Sequence, residues 1–168
     1  MEVCLHGRDW SMKLSLRGWM KLLQLAYSHG WQPLGTSAPP PDRNESSVPA
    51  DEWVVWDGSY FRRHGQRVLD RDAFRLAEAL SHALPHIPDE KPDAPLPELS
   101  LVPSPMPGYR EAQEAASLVE HMLAADLGLE SPPNDEGKVP PLAYFSGERK
   151  PWVREFIVRC RSGGFVIE

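Results

Sequence analysis

Residues 15–30 read SLRGWMKLLQLAYSHG and carry the strongest structural signal in the chain. Ser15 is a favourable N-cap, and Gly30 is a favourable residue for a helix to end on. Between them, apolar side chains recur at helical spacing, and others widen the stripe: Leu16, Trp19, Met20, Leu22, Leu23, Leu25, Ala26 and Tyr27. We expect this helix to lie at the centre of the core.

Three further segments have the apolar periodicity of amphipathic helices, at about 70–84, 110–127 and 148–161. The first begins at Asp70, which we interpret as its N-cap, and Pro85 ends it. Pro151 lies in the first turn of the last segment, where its missing N–H costs little. The sequence therefore predicts about four helices.

Short runs of β-branched and aromatic residues predict strands at Val3–Leu5, Trp53–Trp56, Tyr60–Phe61, Gln66–Leu69 and Phe165–Ile167. We interpret residues 60–69 as a hairpin around His64 and Gly65, because glycine adopts the positive φ of a tight turn. These strands do not alternate regularly with the helices. The prediction is an α+β fold, with about four helices packed with a small, short-stranded sheet and with long proline-rich loops.

Proline divides the chain. Eight of the eighteen prolines fall between Pro85 and Pro107, where each removes a backbone donor and restricts the residue before it. That segment is predicted to be an extended connector. Two other segments have the proline-rich, serine-rich and acidic composition of loops. We expect a single domain, 1–168, with flexible or extended loops at 37–52, 85–108 and 131–141.

The composition is that of a soluble globular protein. The chain has 168 residues, 41% of them hydrophobic, which is enough to form a core without a metal or a disulfide. No run approaches the roughly 18–20 apolar residues of a membrane helix, and the first residues lack the pattern of a signal peptide. We interpret Cys4 and Cys160 as reduced, buried thiols. The alternative is a single disulfide between these two residues near the ends of the chain. A cytoplasmic location is expected.

The net charge of −6 is unevenly distributed. Residues 86–137 carry two basic and eleven acidic side chains, so this segment alone has a net charge of −9. A field of that sign repels phosphate backbones and attracts basic surfaces. The charge therefore favours a basic protein partner and disfavours nucleic acid, and the lack of a long apolar run predicts no membrane partner. The alternative is a solvated acidic loop that keeps the protein soluble.

No metal site is predicted. Cys4, His6 and Asp9 are close in sequence, but no CxxC or HExxH spacing accompanies them. His82 and His86 are four residues apart, and a proline between them should end the helix that would place them on one face. We interpret the histidines as surface residues.

No catalytic residue or cofactor is predicted either. Cys160 lies on the apolar face of a predicted helix, where burial should raise the pKa of the thiol and lower its reactivity. Asp70 is explained as a helix cap, and Asp72 as a first-turn acid favoured by the helix dipole. These structural roles account for both aspartates without a catalytic carboxylate site.

Basic residues recur near the C-terminus, and others near the N-terminus would extend them into one face if the chain ends meet: Arg149, Lys150, Arg154, Arg159 and Arg161, with Lys13, Arg17 and Lys21. We interpret them as a solvated helix surface, paired in part with the acidic segment, rather than as a nucleic-acid site.

Tryptophan is abundant, with six in the chain. Trp19 and Trp152 lie on apolar helical faces, whereas Trp10, Trp31, Trp53 and Trp56 lie at strand or loop positions, where partly exposed rings are typical of contact surfaces. The alternative is that these rings cover the helices. The candidate partner-binding residues are Trp53, Trp56, Asp89, Glu90, Asp93 and Glu98.

Three stretches form a recognisable combination: GWQPLGT at 30–36, GQRV at 65–68 followed by DA and LAEAL at 72–80, and EFI at 155–157 leading to CRSGGF at 160–165. Together they resemble small uncharacterised bacterial cytoplasmic proteins with a helix-GW-P-GT start and a CR-GGF finish. The resemblance covers about a third of the chain and includes no catalytic motif. It implies a bacterial origin.

The leading hypothesis is a non-enzymatic protein that binds another protein. Its concrete forms are a toxin-neutralising immunity protein and a component of a phage-defence complex. The alternative is a small hydrolase or nucleotide-handling enzyme whose site is assembled from distant residues. A pocket that gathers His6, Asp9 and His64 would favour the enzyme, whereas an exposed acidic and aromatic patch would favour the binding protein.

Overall fold

The computed structural model describes residues 2–34, 36–37, 60–61, 65–93, 106–126 and 139–168. The fold is α+β, as predicted. Two 3-10 turns, Leu84–His86 and Gly147–Arg149, accompany the regular elements. In chain order these elements are β1 Glu2–His6, β2 Ser11–Ser15, α1 Leu16–Ser28, β3 Thr36–Ser37, β4 Gln66–Val68, α2 Asp70–Ala83, α3 Tyr109–Asp126, α4 Pro141–Tyr144, α5 Lys150–Arg161 and β5 Phe165–Ile167.

Helix α1 lies in the core, as predicted. The Ser15 hydroxyl caps it by accepting a hydrogen bond from the Gly18 N–H at 3.0 Å. Every residue from Gly18 to Ala26 is buried, so the helix is covered on all sides through its middle turns. It ends before Gly30, whose φ of +91° favours glycine.

Two buried polar side chains of α1 tie later parts of the chain to the core. Lys21 donates a hydrogen bond to the carbonyl of Val139. The Gln24 Oε1 accepts the N–H of Met106 at 2.9 Å. A buried polar group costs free energy unless it is hydrogen-bonded, so these contacts satisfy both side chains while fixing two distant segments.

The sheet is antiparallel throughout, with the strand order β2-β1-β5-β4-β3. The C-terminal strand β5 therefore lies between the N-terminal hairpin and β4. Cys4 and Glu168 exchange backbone hydrogen bonds, with N···O distances of 2.7 and 2.8 Å. The two ends of the chain are held side by side in the middle of the sheet.

Strand β2 is absent from the sequence-based prediction. Its residues, SMKLS, alternate between polar and apolar but include only two apolar side chains. Its position is fixed by β1, because Leu14 lies opposite Val3 and Met12 opposite Leu5. Met12 is buried and Leu14 is half-buried on the core side. Pairing and packing stabilise a strand whose local signal is weak.

The predicted 60–69 hairpin is wrong. Tyr60 and Phe61 are buried in a turn, where the Tyr60 carbonyl accepts the indole N–H of Trp19 at 2.7 Å. Gln66–Val68 does form a strand, but its partners are β3 and β5. Burying the two aromatic rings in the core stabilises the fold more than pairing their backbone in a short strand would. The predicted strand 53–56 lies outside the described residues.

Helices α2 and α5 pack against each other and flank the start of β5. Asp70 is not the N-cap of α2, as the sequence analysis expects, because Leu69 occupies that position. The Asp70 Oδ1 instead accepts the N–H of Gly164 at 2.8 Å. A Cβ on Gly164 would lie 2.2 Å from the carbonyl oxygen of Val68, so only glycine fits this approach.

Helix α3 has 18 residues and agrees with the predicted 110–127 segment to within one residue at each end. It is the longest helix in the described ranges. Glutamates and a histidine interrupt its apolar residues. No helix in the part of the chain that the structure describes is long and apolar enough to cross a membrane.

All three predicted loops include ordered structure at an end. Ser37 belongs to β3, and Pro141 begins α4, where proline suits the first helical position. Leu84–His86 forms a 3-10 turn, and Ile87 and Met106 are buried at the two ends of the 85–108 segment. In the described parts of the 85–108 segment, these apolar side chains between the prolines dock on the core.

Candidate functional site

Three of the six candidate contact residues lie together in one exposed turn. Asp89, Glu90 and Asp93 are exposed within residues 87–93, which also contain Lys91. We call residues 87–93 the acidic turn. The other three candidates, Trp53, Trp56 and Glu98, lie outside the described residues.

The acidic turn is anchored to the body of the protein. Ile87 is buried, and the carbonyl of Pro88 accepts the N–H of Gly147 at 3.2 Å. The Lys150 Nζ donates to the Ile87 carbonyl at 2.6 Å and to the Asp89 Oδ1 at 2.8 Å. Because Lys150 is itself buried at the start of α5, the turn is held on a rigid element.

Asp89 is held as an anion. The hydrogen bond from Lys150 and the charge of that residue lower the pKa of the Asp89 carboxyl, with a smaller contribution from Arg154. The carboxylate therefore stays charged to a lower pH than a free aspartate. This contact confirms that a C-terminal basic residue pairs with the acidic segment, but Lys150 is buried, as is Lys21, so these two do not belong to the solvated surface that the sequence analysis expects.

A groove lies between β2 and the segment that joins α4 to α5. Its volume is about 380 Å³. Apolar and aromatic surface forms much of its lining, with a basic side chain on each side: Lys13, Leu14, Tyr144, Phe145, Arg149 and Trp152. We call this the edge groove. Its two walls are far apart in the sequence, so no local motif predicts it.

Tyr144 joins the two walls of the edge groove. Its hydroxyl lies 3.2 Å from the Ser15 Oγ, across a separation of 129 residues. The guanidinium of Arg149 lies over the Tyr144 ring at 4.1 Å, and the Lys21 ammonium lies 5.7 Å from the same ring. Cations attracted to a ring face at these distances help to hold the Tyr144 side chain in place.

Asp72 lies in the first turn of α2, as the sequence analysis expects, but it is also a buried hydrogen-bond acceptor. It is 1% exposed and accepts hydrogen bonds from the Trp31 Nε1 at 3.1 Å, the Leu34 N–H at 3.2 Å and the Tyr60 hydroxyl. Burial raises the pKa of the Tyr60 hydroxyl, and the neighbouring Asp72 carboxylate raises it further. The sequence signal for this role of Asp72 was the presence of Trp31 and Tyr60, because their N–H and O–H groups need hydrogen-bond partners when they are buried.

Of the three residues whose shared pocket would favour an enzyme, the structure describes His6 and Asp9. The His6 Nε2 lies 3.4 Å from a carboxylate oxygen of Glu168, Asp9 is exposed, and His64 lies outside the described residues. His86 lies beyond the end of α2, and its ring stacks on His29 with the centroids 5.9 Å apart. Within the described ranges, no three potential ligands gather into a metal site.

The two cysteines are both unbridged. Cys160 is buried in α5, and burial raises the pKa of its thiol, as expected. Cys4 is half-buried in β1, which is less than the sequence analysis expects, because its side chain lies on the sheet face opposite to that of Val3 and Leu5. The raised pKa of Cys160 keeps its thiol protonated, which lowers its reactivity as a nucleophile.

No family model, no curated protein and no solved structure matches this chain. The acidic turn is exposed and anchored, and the edge groove combines aromatic surface with positive charge.

Proposed function

We propose that this protein works by binding another protein, and that the acidic turn contacts a basic surface of that partner. One observation carries the proposal: an exposed acidic segment is fixed by a buried lysine. Lys150 uses two of its three donors on this turn, while Glu90 and Asp93 remain exposed.

Anchoring matters because it reduces the entropy that binding must remove. A preformed charged surface loses less conformational freedom on association than a mobile loop. Its charge also steers a basic partner during diffusional encounter. The net charge of −9 on residues 86–137 adds to that field.

The most concrete form of the proposal is a bacterial immunity protein that neutralises a toxin in the cytoplasm. Many toxins that act on nucleic acid are basic, and an acidic protein can bind and cover their active sites without any chemistry of its own. A component of a phage-defence complex has the same physical requirement. The identity of the partner separates these two roles.

The test begins with a tagged chain used to isolate partners from the native host at physiological salt. The double variant Glu90→Lys/Asp93→Lys is examined in parallel, and Asp89 is kept because it pairs with Lys150. We expect the variant to associate with the isolated partner about three- to ten-fold more slowly at low salt, with a smaller difference at high salt.

The matched control is Glu78→Lys/Asp9→Lys, which makes the same charge change at exposed positions outside the 86–137 segment. Both double variants should unfold within about 0.5 kcal/mol of the wild type, as surface substitutions usually do. Equal slowing by the control, or unchanged kinetics of the test variant, would remove the acidic turn as the contact. A protein that isolates no partner would contradict the binding function itself.

A further inference from the structure

Within the described part of the chain, β2 has a strand on one side only, and its other side presents a row of backbone N–H and C=O groups. Cys4 directs its N–H and C=O toward Glu168, so its neighbours Val3 and Leu5 direct theirs toward β2. Leu14 and Met12 lie opposite these two residues and complete their hydrogen bonds. The register continues at Gly7, whose N–H donates to the Trp10 carbonyl at 2.9 Å.

Alternation then directs the N–H and C=O groups of Ser11 and Lys13, and the N–H of Ser15, away from β1. Strand β2 is the first strand in the sheet order and has one neighbouring strand among the described residues. An edge of this kind is a template for another strand. Lys13 lies at its centre.

The edge groove lies directly beside this template. Lys13 and Leu14 belong both to the strand and to the groove lining. A strand paired with β2 would therefore cross the groove, with alternate side chains pointing toward Phe145 and Trp152. An edge and a groove together provide both the backbone hydrogen bonds and the side-chain pockets of β-strand addition.

We propose that β2 and the edge groove bind an extended segment of a partner protein, which adds to the sheet as a sixth strand. In this segment an acidic residue lies opposite Lys13, and the apolar residues on either side of it enter the groove. This binding site is separate from the acidic turn and does not depend on the function proposed above.

Charge and polarity define the segment. Lys13 is exposed on the outer sheet face, so a carboxylate directly across from it forms a favourable cross-strand pair. Arg149 makes the rim positive as well, while Glu148 is the acid in the lining. On the core side, Leu14, Phe145 and Trp152 offer apolar surface to the flanking residues.

A second copy of this chain fits the edge less well. An antiparallel β2–β2 pair in full overlap would place Lys13 opposite Lys13, and like charges directly across a ladder are destabilising. Lysine at the centre of an edge strand is a device that proteins use against self-pairing. The same charge favours an acidic partner.

The test uses a display library of random peptides of about seven residues, enough to cover the five-residue strand. Selection is performed on the wild-type protein and on Lys13→Glu. We expect the wild type to select peptides in which an acidic residue alternates with apolar ones. Lys13→Glu should select a basic residue at the same position, because the cross-strand charge is reversed.

Two further variants separate the backbone from the side chain. Lys13→Ala keeps the outward N–H, whereas Lys13→Pro removes it without breaking a bond to β1. A selected peptide should bind Lys13→Pro at least about ten-fold more weakly than Lys13→Ala, as expected for a lost hydrogen bond in a strand ladder.

Amide exchange of the wild type provides a measurement that does not depend on the folding of any variant. In the protein alone, the N–H of Ser11 and Lys13 should exchange quickly and those of Met12 and Leu14 slowly. The selected peptide should slow the exchange of Ser11 and Lys13.

The proposal is overturned if no peptide is enriched over the bare support, if the selected peptides lack an acidic residue, or if the Ser11 and Lys13 amides are not protected. Concentration-dependent dimers with the same amide protection would assign the edge to a second copy instead. Glu90→Lys/Asp93→Lys should bind the selected peptide as the wild type does, so failure at one surface is distinguishable from failure at the other.

Discussion

At the scale of single residues, Asp72 shows how one carboxylate can hold three segments. It lies in the first turn of α2, and its donors come from the residues after α1 and from the turn at Tyr60. A first-turn acid is stabilised by the helix dipole. Here the same residue also satisfies buried donors that have no access to water.

Asp72→Ala should therefore be severely destabilising. Removing the carboxylate leaves the donors of Trp31, Leu34 and Tyr60 without their acceptor, and we expect a loss of about 3–5 kcal/mol in the free energy of unfolding. Urea unfolding followed by tryptophan fluorescence measures it. The control is Asp70→Ala, an exposed acid in the same turn with one backbone bond, for which about 0.5–1.5 kcal/mol is expected. Equal losses would contradict the role assigned to Asp72.

At the scale of elements, α5 holds the acidic turn through its first residue. Lys150 is buried, and its ammonium bridges the Ile87 carbonyl and Asp89. Pro151 follows at a helical position that needs no N–H donor. The helix start is thus suited both to begin α5 and to hold a second segment.

Lys150→Ala should release that segment. The buried Ile87 carbonyl loses its donor, and we expect about 1–3 kcal/mol of destabilisation together with faster amide exchange in residues 87–93. Hydrogen exchange with peptide-level resolution measures the second effect. Asp89→Asn keeps the bond from Lys150 to Ile87, so it should leave exchange in the turn closer to that of the wild type. Unchanged exchange in Lys150→Ala would show that other contacts hold the turn.

At the scale of the whole molecule, folding brings β1 and β5 together in one sheet and buries the Cys160 side chain of α5 in the core. Burial raises the pKa of that thiol. The unfolded chain ionises it above about pH 8.5, whereas the folded protein keeps it neutral. Above this pH the unfolded state binds fewer protons, so stability falls as the pH rises.

We expect the free energy of unfolding to decrease above about pH 8.5, by up to about 1.4 kcal/mol per pH unit from this thiol, with Tyr60 adding to the decrease above about pH 10. Urea unfolding under reducing conditions at about pH 7.5 and about pH 9.5 measures the slope. Cys160→Ala is less stable at both values, because it leaves a small cavity, but its slope should be shallower. An identical slope in the variant would contradict the buried neutral thiol.

The local patterns predict the four longer helices and three of the strands, β1, β4 and β5, but they miss β2 and misplace Tyr60 and Phe61 in a hairpin. The N-cap at Ser15 and the terminal glycines depend on neighbours within one turn, so they can be read from the sequence. Strand β2 depends on β1, and the Tyr60 turn depends on Trp19 and Asp72, which are distant in the sequence. At these positions the contacts between distant residues determine the backbone conformation, and the local strand propensity does not.

The candidate sites divide in the same way. The charge of the 86–137 segment is a property of composition, so the sequence by itself indicates an acidic surface that includes Asp89, Glu90 and Asp93. Its attachment to Lys150 requires α5 to lie beside the segment, and the edge groove requires β2 to lie beside Tyr144. Helical periodicity and net charge are local or additive quantities, and the sequence alone determined them. Hydrogen bonds and grooves between residues far apart in the chain form only when packing brings the partners together, so only the tertiary structure decided them.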